Sequence, residues 1–284
     1  MTIDPPPRRG ALKGLASGGF HRVVWHEWGD PRNDRVAICV HGLTRSGRDF
    51  DVLARALAAT HRVLAVDMPG RGESEWLAAK QDYAFPTYLA VLTALVAATG
   101  AQAVDWVGTS MGGLLGMVMA AQPGTPVRRL VVNDAGPAIE PGALQRIGGY
   151  VGQDPEFASF EAIRAYMRAI SPFGALPDEA WDHLTRTVVS VRGNGRWGFV
   201  YDPGIAVPFR ASAAPPDLWP VWDAIRCPTL VLRGAQSDLL SRATAQAMAA
   251  RGPRPQVVEF DGVGHAPSLM VDEQVDTVVG FLRG

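Results

Sequence analysis

Short runs that are apolar throughout, each followed by a stretch of helical period, recur along this chain and leave few folds open to it. "RVAICVHG", "HRVLAVDMPG", "AVDWVG", "VRRLVVNDAG", "PTLVLRG" and "PQVVEF" read as strands. Because they lack polar alternation, both of their faces need apolar cover, as in a parallel sheet with helices on each side. The covers are at hand. "RDFDVLARALAA" places Phe50, Leu53 and Leu57 at helical spacing, and "TYLAVLTALVAATG" closes on Gly100 as a C-cap. "SMGGLLGMVMAAQ", "SRATAQAMAARG" and "VDEQVDTVVGFLRG" complete the set. "HRVVWHEWG" reads as a further early strand, and the Pro-rich opening as loose chain. The expected class is α/β, a mostly parallel central sheet with helices on both faces.

The rhythm stops between about Gly136 and Arg226. There "FASFEAIRAYMRAI" puts Phe160, Ile163, Met167 and Ile170 on one helical face, and "DEAWDHLTRTVV" follows as a second helix. "SVRGNGRWGFVY" reads as a hairpin turning at Asn194-Gly195. A loop of this length needs structure of its own. The expected organisation is a core of residues 1–135 and 227–284 with an inserted, mainly helical cap over 136–226.

Bulk composition excludes several functions. With 284 residues and 47% hydrophobic side chains, there is material for one large core. A formal net charge of -1 gives no field for nucleic acid or an anionic membrane, so neither is expected as a partner. The two cysteines, Cys39 and Cys227, lie in apolar runs, form no zinc-type spacing, and read as buried thiols. "MTIDPPPRRGALKG" has no apolar signal core, and no later run reaches the ~18 apolar residues of a membrane span. The expected setting is cytoplasmic, with no metal or cofactor.

Gly108-Thr109-Ser110-Met111-Gly112 matches G-x-S-x-G at a strand-to-helix junction. A sharp turn there would hold the serine strained, would demand side-chain-free neighbours, and would aim free helix N–H groups at the hydroxyl. A nucleophilic serine needs a base and an orienting carboxylate. Of the six histidines, His21, His26 and His61 sit at strand starts or edges, and His183 lies on a cap helix as a solvent-facing residue. His265, in the Gly-rich loop "DGVGHAPSL" after the last strand, is the expected base, since α/β sheets place chemistry beyond strand carboxyl ends. Asp238, in "RGAQSDLLS" after the preceding strand, is the preferred acid. Asp134 in "VVNDAG" is its rival, with a turn or cap role as its alternative. The amides of Met111 and of Leu43, in "CVHGLTRSG", are the expected oxyanion donors, with His41 as a structural hydrogen-bonder.

Together these pieces resemble the α/β-hydrolase superfamily: the order Ser110, Asp238, His265, the His41-Gly42 motif, and Asp67-Met-Pro-Gly-Arg-Gly-Glu-Ser74 as its D-x-x-G-x-G-x-S turn. The resemblance spans nearly everything after residue 20 and is nearest to bacterial capped esterases and enol-lactonase-like hydrolases. It implies cleavage of a small-molecule carboxylic ester or lactone through an acyl-enzyme, with the cap choosing the substrate. Alternatives on the same triad are carbon–carbon bond hydrolysis, disfavoured by Ala266 after the histidine, and cofactor-free perhydrolysis. A ligand-binding receptor on the hydrolase scaffold is the alternative from another class. Among the cap aromatics Tyr150, Phe157, Phe160, Tyr166, Trp181, Trp197 and Trp219, a minority is expected to line an acyl pocket. Oligomeric state is not legible here.

Overall fold

The computed structural model describes residues 6–211 and 217–284. Residues 212–216 of the expected cap, and the first five of the Pro-rich opening, lie outside the described residues. Ten strands and ten α-helices follow in chain order among them. The first half comprises β1 Arg8–Ala16, β2 Gly19–Trp28, β3 Val36–Val40, α1 Asp51–Leu57, β4 Arg62–Val66, α2 Phe85–Thr99, β5 Val104–Thr109, α3 Met111–Ala120 and β6 Val127–Asn133. Then come α4 Pro141–Gly148, α5 Phe160–Ile170, α6 Asp178–Arg186, β7 Val189–Val191, β8 Trp197–Phe199, α7 Ala206–Ala211 and α8 Trp219–Ala224. The chain closes with β9 Thr229–Gly234, α9 Arg242–Ala250, β10 Gln256–Phe260 and α10 Asp272–Arg283.

Eight strands form one sheet in the order β1-β2-β4-β3-β5-β6-β9-β10. The pairings β1 with β2 and β2 with β4 are antiparallel; from β4 to β10 every neighbour is parallel. The apolar runs explain this division. All five residues of β3 are buried, and its side chains alternate between two cores: Val36, Ile38 and Val40 on one face, Ala37 and Cys39 on the other. Leu53, Ala54 and Leu57 of α1 pack on the second face with Val275, Val278 and Leu282 of α10. On the first face lie α2 and α3, joined by Trp222 of α8 and Met248 of α9. Gly100 ends α2 in the left-handed region at φ 73°, as its sequence position implied.

Strand β1 falls where loose chain was expected. Its sequence, RRGALKGLA, has two glycines and is mostly exposed, so no apolar pattern announces it. Antiparallel pairing along all nine of its residues with β2 supplies the backbone partners that propensity does not. Cys39 is fully buried, and burial pushes its thiol pKa up; Cys227, ahead of β9, is only half-buried.

Between β6 and β9, helices α4 to α6 and the β7–β8 hairpin cover the carboxyl edge of the sheet, while α8 packs against α3 on the first face. Phe160, Ile163 and Met167 of α5 are buried with Val188 and Val189, as the helical spacing predicts. The hairpin turns through Asn194 and Gly195, the latter at φ 78°. Acidic residues here pair with arginines: Arg164 with Asp182 at 2.5 Å and Arg168 with Asp178 at 2.9 Å. His183 departs from its expected exposure. Its ring packs against the core, Nε2 lies 3.0 Å from the Arg48 carbonyl oxygen, and its side chain is 9% exposed. A helix crossing the sheet edge has its inner face buried even at a polar position.

Candidate active site

The parallel strands end at one edge, and the loops that follow them bring the expected residues together. Ser110 stands at the turn from β5 into α3, with φ 54° and ψ -115°. Such a conformation costs an L residue about 1–3 kcal/mol and persists only where neighbours enforce it. They do so by close approach. A Cβ on Gly112 would sit 1.9 Å from the Val40 carbonyl oxygen, and one on Gly108 would sit 2.1 Å from the Gly112 oxygen. Only glycines allow helix α3 to press this hard against β3 and β5. Trp106 Nε1–H donates to the Gly112 carbonyl at 3.1 Å and ties the turn from below.

His265 follows β10, with Nε2 2.9 Å from Ser110 Oγ. Its Nδ1 lies 2.7 Å from Oδ2 of Asp134, in the loop after β6. The expected acid was Asp238, and the structure corrects that expectation. The rival Asp134 holds the imidazole, fully buried, and accepts two further hydrogen bonds, from Gly234 N–H at 3.0 Å and from the Ser237 hydroxyl at 2.6 Å. Ser237 explains the fate of its neighbour. Its hydroxyl points inward to Asp134 and receives the Leu239 and Leu240 amides at 3.2 and 3.1 Å, so Asp238 faces the other way. The Asp238 carboxylate takes a two-pronged hydrogen bond from Arg146 of α4, at 2.6 and 2.8 Å. Arg146 beside it holds the Asp238 carboxyl below the usual carboxylate range.

The two expected oxyanion donors flank the serine. Met111 is the first residue of α3, whose N–H has no partner within the helix. Gly42 approaches closely, since a Cβ there would lie 3.6 Å from Ser110 Cβ; the next residue, Leu43, lines the same cleft. Among the described residues neither the Leu43 nor the Met111 amide meets an acceptor. His41 is fully buried beneath this loop and accepts the Met68 N–H on Nε2 at 3.0 Å. Its proton therefore sits on Nδ1, which donates to the Gly42 carbonyl at 2.6 Å. Burial lowers its pKa to about 4, so it is neutral and structural, as read from sequence.

The D-x-x-G-x-G-x-S turn braces the same region. Asp67 accepts His26 Nε2 at 3.1 Å, Gly47 N–H at 2.7 Å and Glu73 N–H at 2.9 Å. Sequence reading gave Arg71 no role. Its buried guanidinium donates to the carbonyls of Leu43 and Pro69 and to the Tyr88 hydroxyl, at 2.7–2.8 Å, and meets no carboxylate among the described residues. A lone arginine inside a Gly-rich turn carries no sequence signal of that kind.

The cleft over Ser110 is bounded by the sheet edge below and by α4 to α6 and β8 above. Tyr150 and Tyr166, of the expected aromatics, line it with Phe173, Phe199 and Tyr201. Phe157 instead packs tilted against Tyr166 at 5.2 Å, and Trp181 stacks on Phe173 at 5.7 Å. Among the described residues no group of three or more His, Cys, Asp or Glu side chains is placed to hold a metal ion, and no helix is long and apolar enough to cross a membrane.

A parallel sheet with a strained serine, an adjacent imidazole and a buried carboxylate at its carboxyl edge defines a hydrolase of the α/β type. Comparison agrees: the model of the alpha/beta hydrolase family matches residues 37–280, and the chain belongs to that family. It is 46% identical over 292 residues to a 3-hydroxybutyrate-oligomer hydrolase of Cupriavidus necator, covering 99% of this chain and 100% of that protein. A pimeloyl-[acyl-carrier protein] methyl ester esterase of Xanthomonas campestris is 31% identical over 251 residues, 84% of this chain and 90% of its own length. The crystal structure of an alpha/beta hydrolase from Novosphingobium aromaticivorans superposes with a TM-score of 0.87 at 36% identity, covering 98% of this chain and 99% of that one. The protein is a hydrolase with esterase-type relatives.

Proposed function

We propose that the protein hydrolyses carboxylic esters through an acyl-enzyme, with Ser110 as nucleophile, His265 as base and Asp134 as the residue that orients it. The observation that carries this reading is the continuous line from Asp134 Oδ2 to His265 Nδ1 at 2.7 Å and from His265 Nε2 to Ser110 Oγ at 2.9 Å. Ser110 Oγ attacks the ester carbonyl as its proton passes to Nε2. The buried Asp134 carboxylate fixes the tautomer with the proton on Nδ1 and stabilises the imidazolium. The Leu43 and Met111 amides receive the oxyanion; donors of this kind are each worth about 3–4 kcal/mol in the transition state. Imidazolium then protonates the departing alkoxide, and water repeats the sequence on the acyl-enzyme.

The 136–226 segment acts as the cap that shapes the cleft. Its aromatic lining suits short aliphatic acyl groups, and the Cupriavidus relative supports short linear hydroxyacid esters as the substrate class. The test is Ser110→Ala with p-nitrophenyl butyrate and a 3-hydroxybutyrate dimer. Loss of both activities with an unchanged thermal melt is expected; retention of most activity refutes the assignment. Labelling of Ser110 by a fluorophosphonate, followed by steady ester turnover in the unlabelled enzyme, separates this reading from a receptor on the same scaffold.

A further inference from the structure

The cleft over Ser110 is lined by three charged side chains, Arg45, Asp49 and Arg146. Arg45 and Asp49 cancel, joined by two hydrogen bonds at 2.8 and 2.6 Å. Arg146 is different, because its carboxylate partner comes from outside the lining. Asp238 occupies Nε and Nη2 of the guanidinium, and no carboxylate reaches Nη1 among the described residues. Asp238 is itself 42% exposed, so water weakens its hold on the cation. The Tyr150 hydroxyl stands beside the guanidinium, half-buried in the same wall. An otherwise aromatic and aliphatic cleft thus offers one edge of an arginine and one phenol together.

We propose that Arg146 and the Tyr150 hydroxyl form a subsite for the ionised carboxylate at the acid end of an ester substrate. The inference rests on the ester-hydrolase reading above. A planar guanidinium edge fits a carboxylate, and the phenol adds a second donor. In a linear hydroxyacid ester the free carboxyl terminus always lies on the alkoxy side of each ester bond. The carboxylate held at Arg146 therefore leaves with the alcohol, and the acyl group left on Ser110 carries the hydroxyl end. Arg146 then governs acylation and is silent in deacylation. Asp238, which sequence reading takes for a catalytic acid, becomes the residue that keeps the guanidinium in place between substrates.

The experiment compares the free acid of a 3-hydroxybutyrate dimer with its terminal primary amide, which removes that charge and adds no second ester bond. The readout is the ratio of their kcat/KM values in the wild type, in Arg146→Met and in Arg146→Lys. Loss of a charged hydrogen bond should cut the ratio about tenfold to a hundredfold in Arg146→Met. Arg146→Lys, which keeps the charge but not the fork, should lose less. A ratio equal to the wild type in Arg146→Met overturns the subsite while leaving the ester reading intact. Should Arg146→Met fail to fold, the Arg146→Lys ratio decides, and no change there overturns the proposal. A wild type that cleaves p-nitrophenyl butyrate but neither dimer overturns the subsite and leaves the ester reading intact, and one that cleaves none of the three sinks both.

Discussion

The carboxylate of Asp134 and the imidazole of His265 meet at 2.7 Å although 131 residues separate them in the chain. The pair forms because β6 and β10 lie on either side of β9 in one sheet, so the loops after them open toward each other. Asp134 is held from three directions, by His265, Ser237 and the Gly234 amide, and has no room to swing.

Asp134→Asn should therefore lower kcat for p-nitrophenyl butyrate by about 10³–10⁴, the scale expected when an imidazole loses its orienting carboxylate. Asp238→Asn, which disturbs only the ion pair with Arg146, should cost less than about tenfold on the same neutral ester. Steady-state kinetics of the two variants side by side decides between the aspartates. The reverse order of losses would return Asp238 to the catalytic role.

Arg71 fastens the Leu43 carbonyl at 2.8 Å, one peptide away from the amide assigned to the oxyanion. Arg71→Met removes that anchor and leaves the Leu43 and Pro69 carbonyls and the Tyr88 hydroxyl short of a donor. Each orphaned buried group costs about 1–3 kcal/mol, so the melting temperature should fall by several degrees. At temperatures where the variant stays folded, kcat should fall about tenfold to a hundredfold with KM nearly constant, because the loosened amide matters only in the transition state. A rise in KM with kcat unchanged would assign Arg71 to substrate binding instead.

His41 makes stability depend on acid. Its folded pKa is lowered to about 4 by burial, whereas an unfolded histidine titrates near 6.5. The unfolded chain binds the proton first, so stability is complete above about pH 6.5 and is lost as the pH falls toward 4. The full loss is about 3 kcal/mol from this group. Protonation also removes the acceptor for the Met68 N–H and disturbs the loop that carries Leu43. Urea unfolding at pH 7.5 and at pH 4.5 should show the loss, and His41→Asn should make it smaller. An equal loss in that variant would place the acid sensitivity elsewhere.

Much of the architecture is legible in the residues. Strands β3, β4, β5, β6 and β9 coincide with largely apolar runs, because a strand buried on both faces can carry little else, and β10, at the sheet edge, is partly exposed and carries Gln256 and Glu259. Ser110 and the His265 loop are equally visible, since a strained turn needs Gly108 and Gly112 and a catalytic loop must follow a strand. Strand β1 was not, because an exposed edge with two glycines owes its form to β2 rather than to itself.

The sequence alone therefore determines the sheet, its covering helices and the sharp serine turn, all of which follow from apolar periodicity and from steric limits on neighbouring residues. Tertiary structure decided which aspartate reaches the imidazole. Asp134 and Asp238 both follow strands at the same edge, and only the inward turn of the Ser237 hydroxyl sends one carboxylate to His265 and the other to Arg146. That choice depends on which way a side chain points in a packed loop, and spacing along the chain carries no record of it.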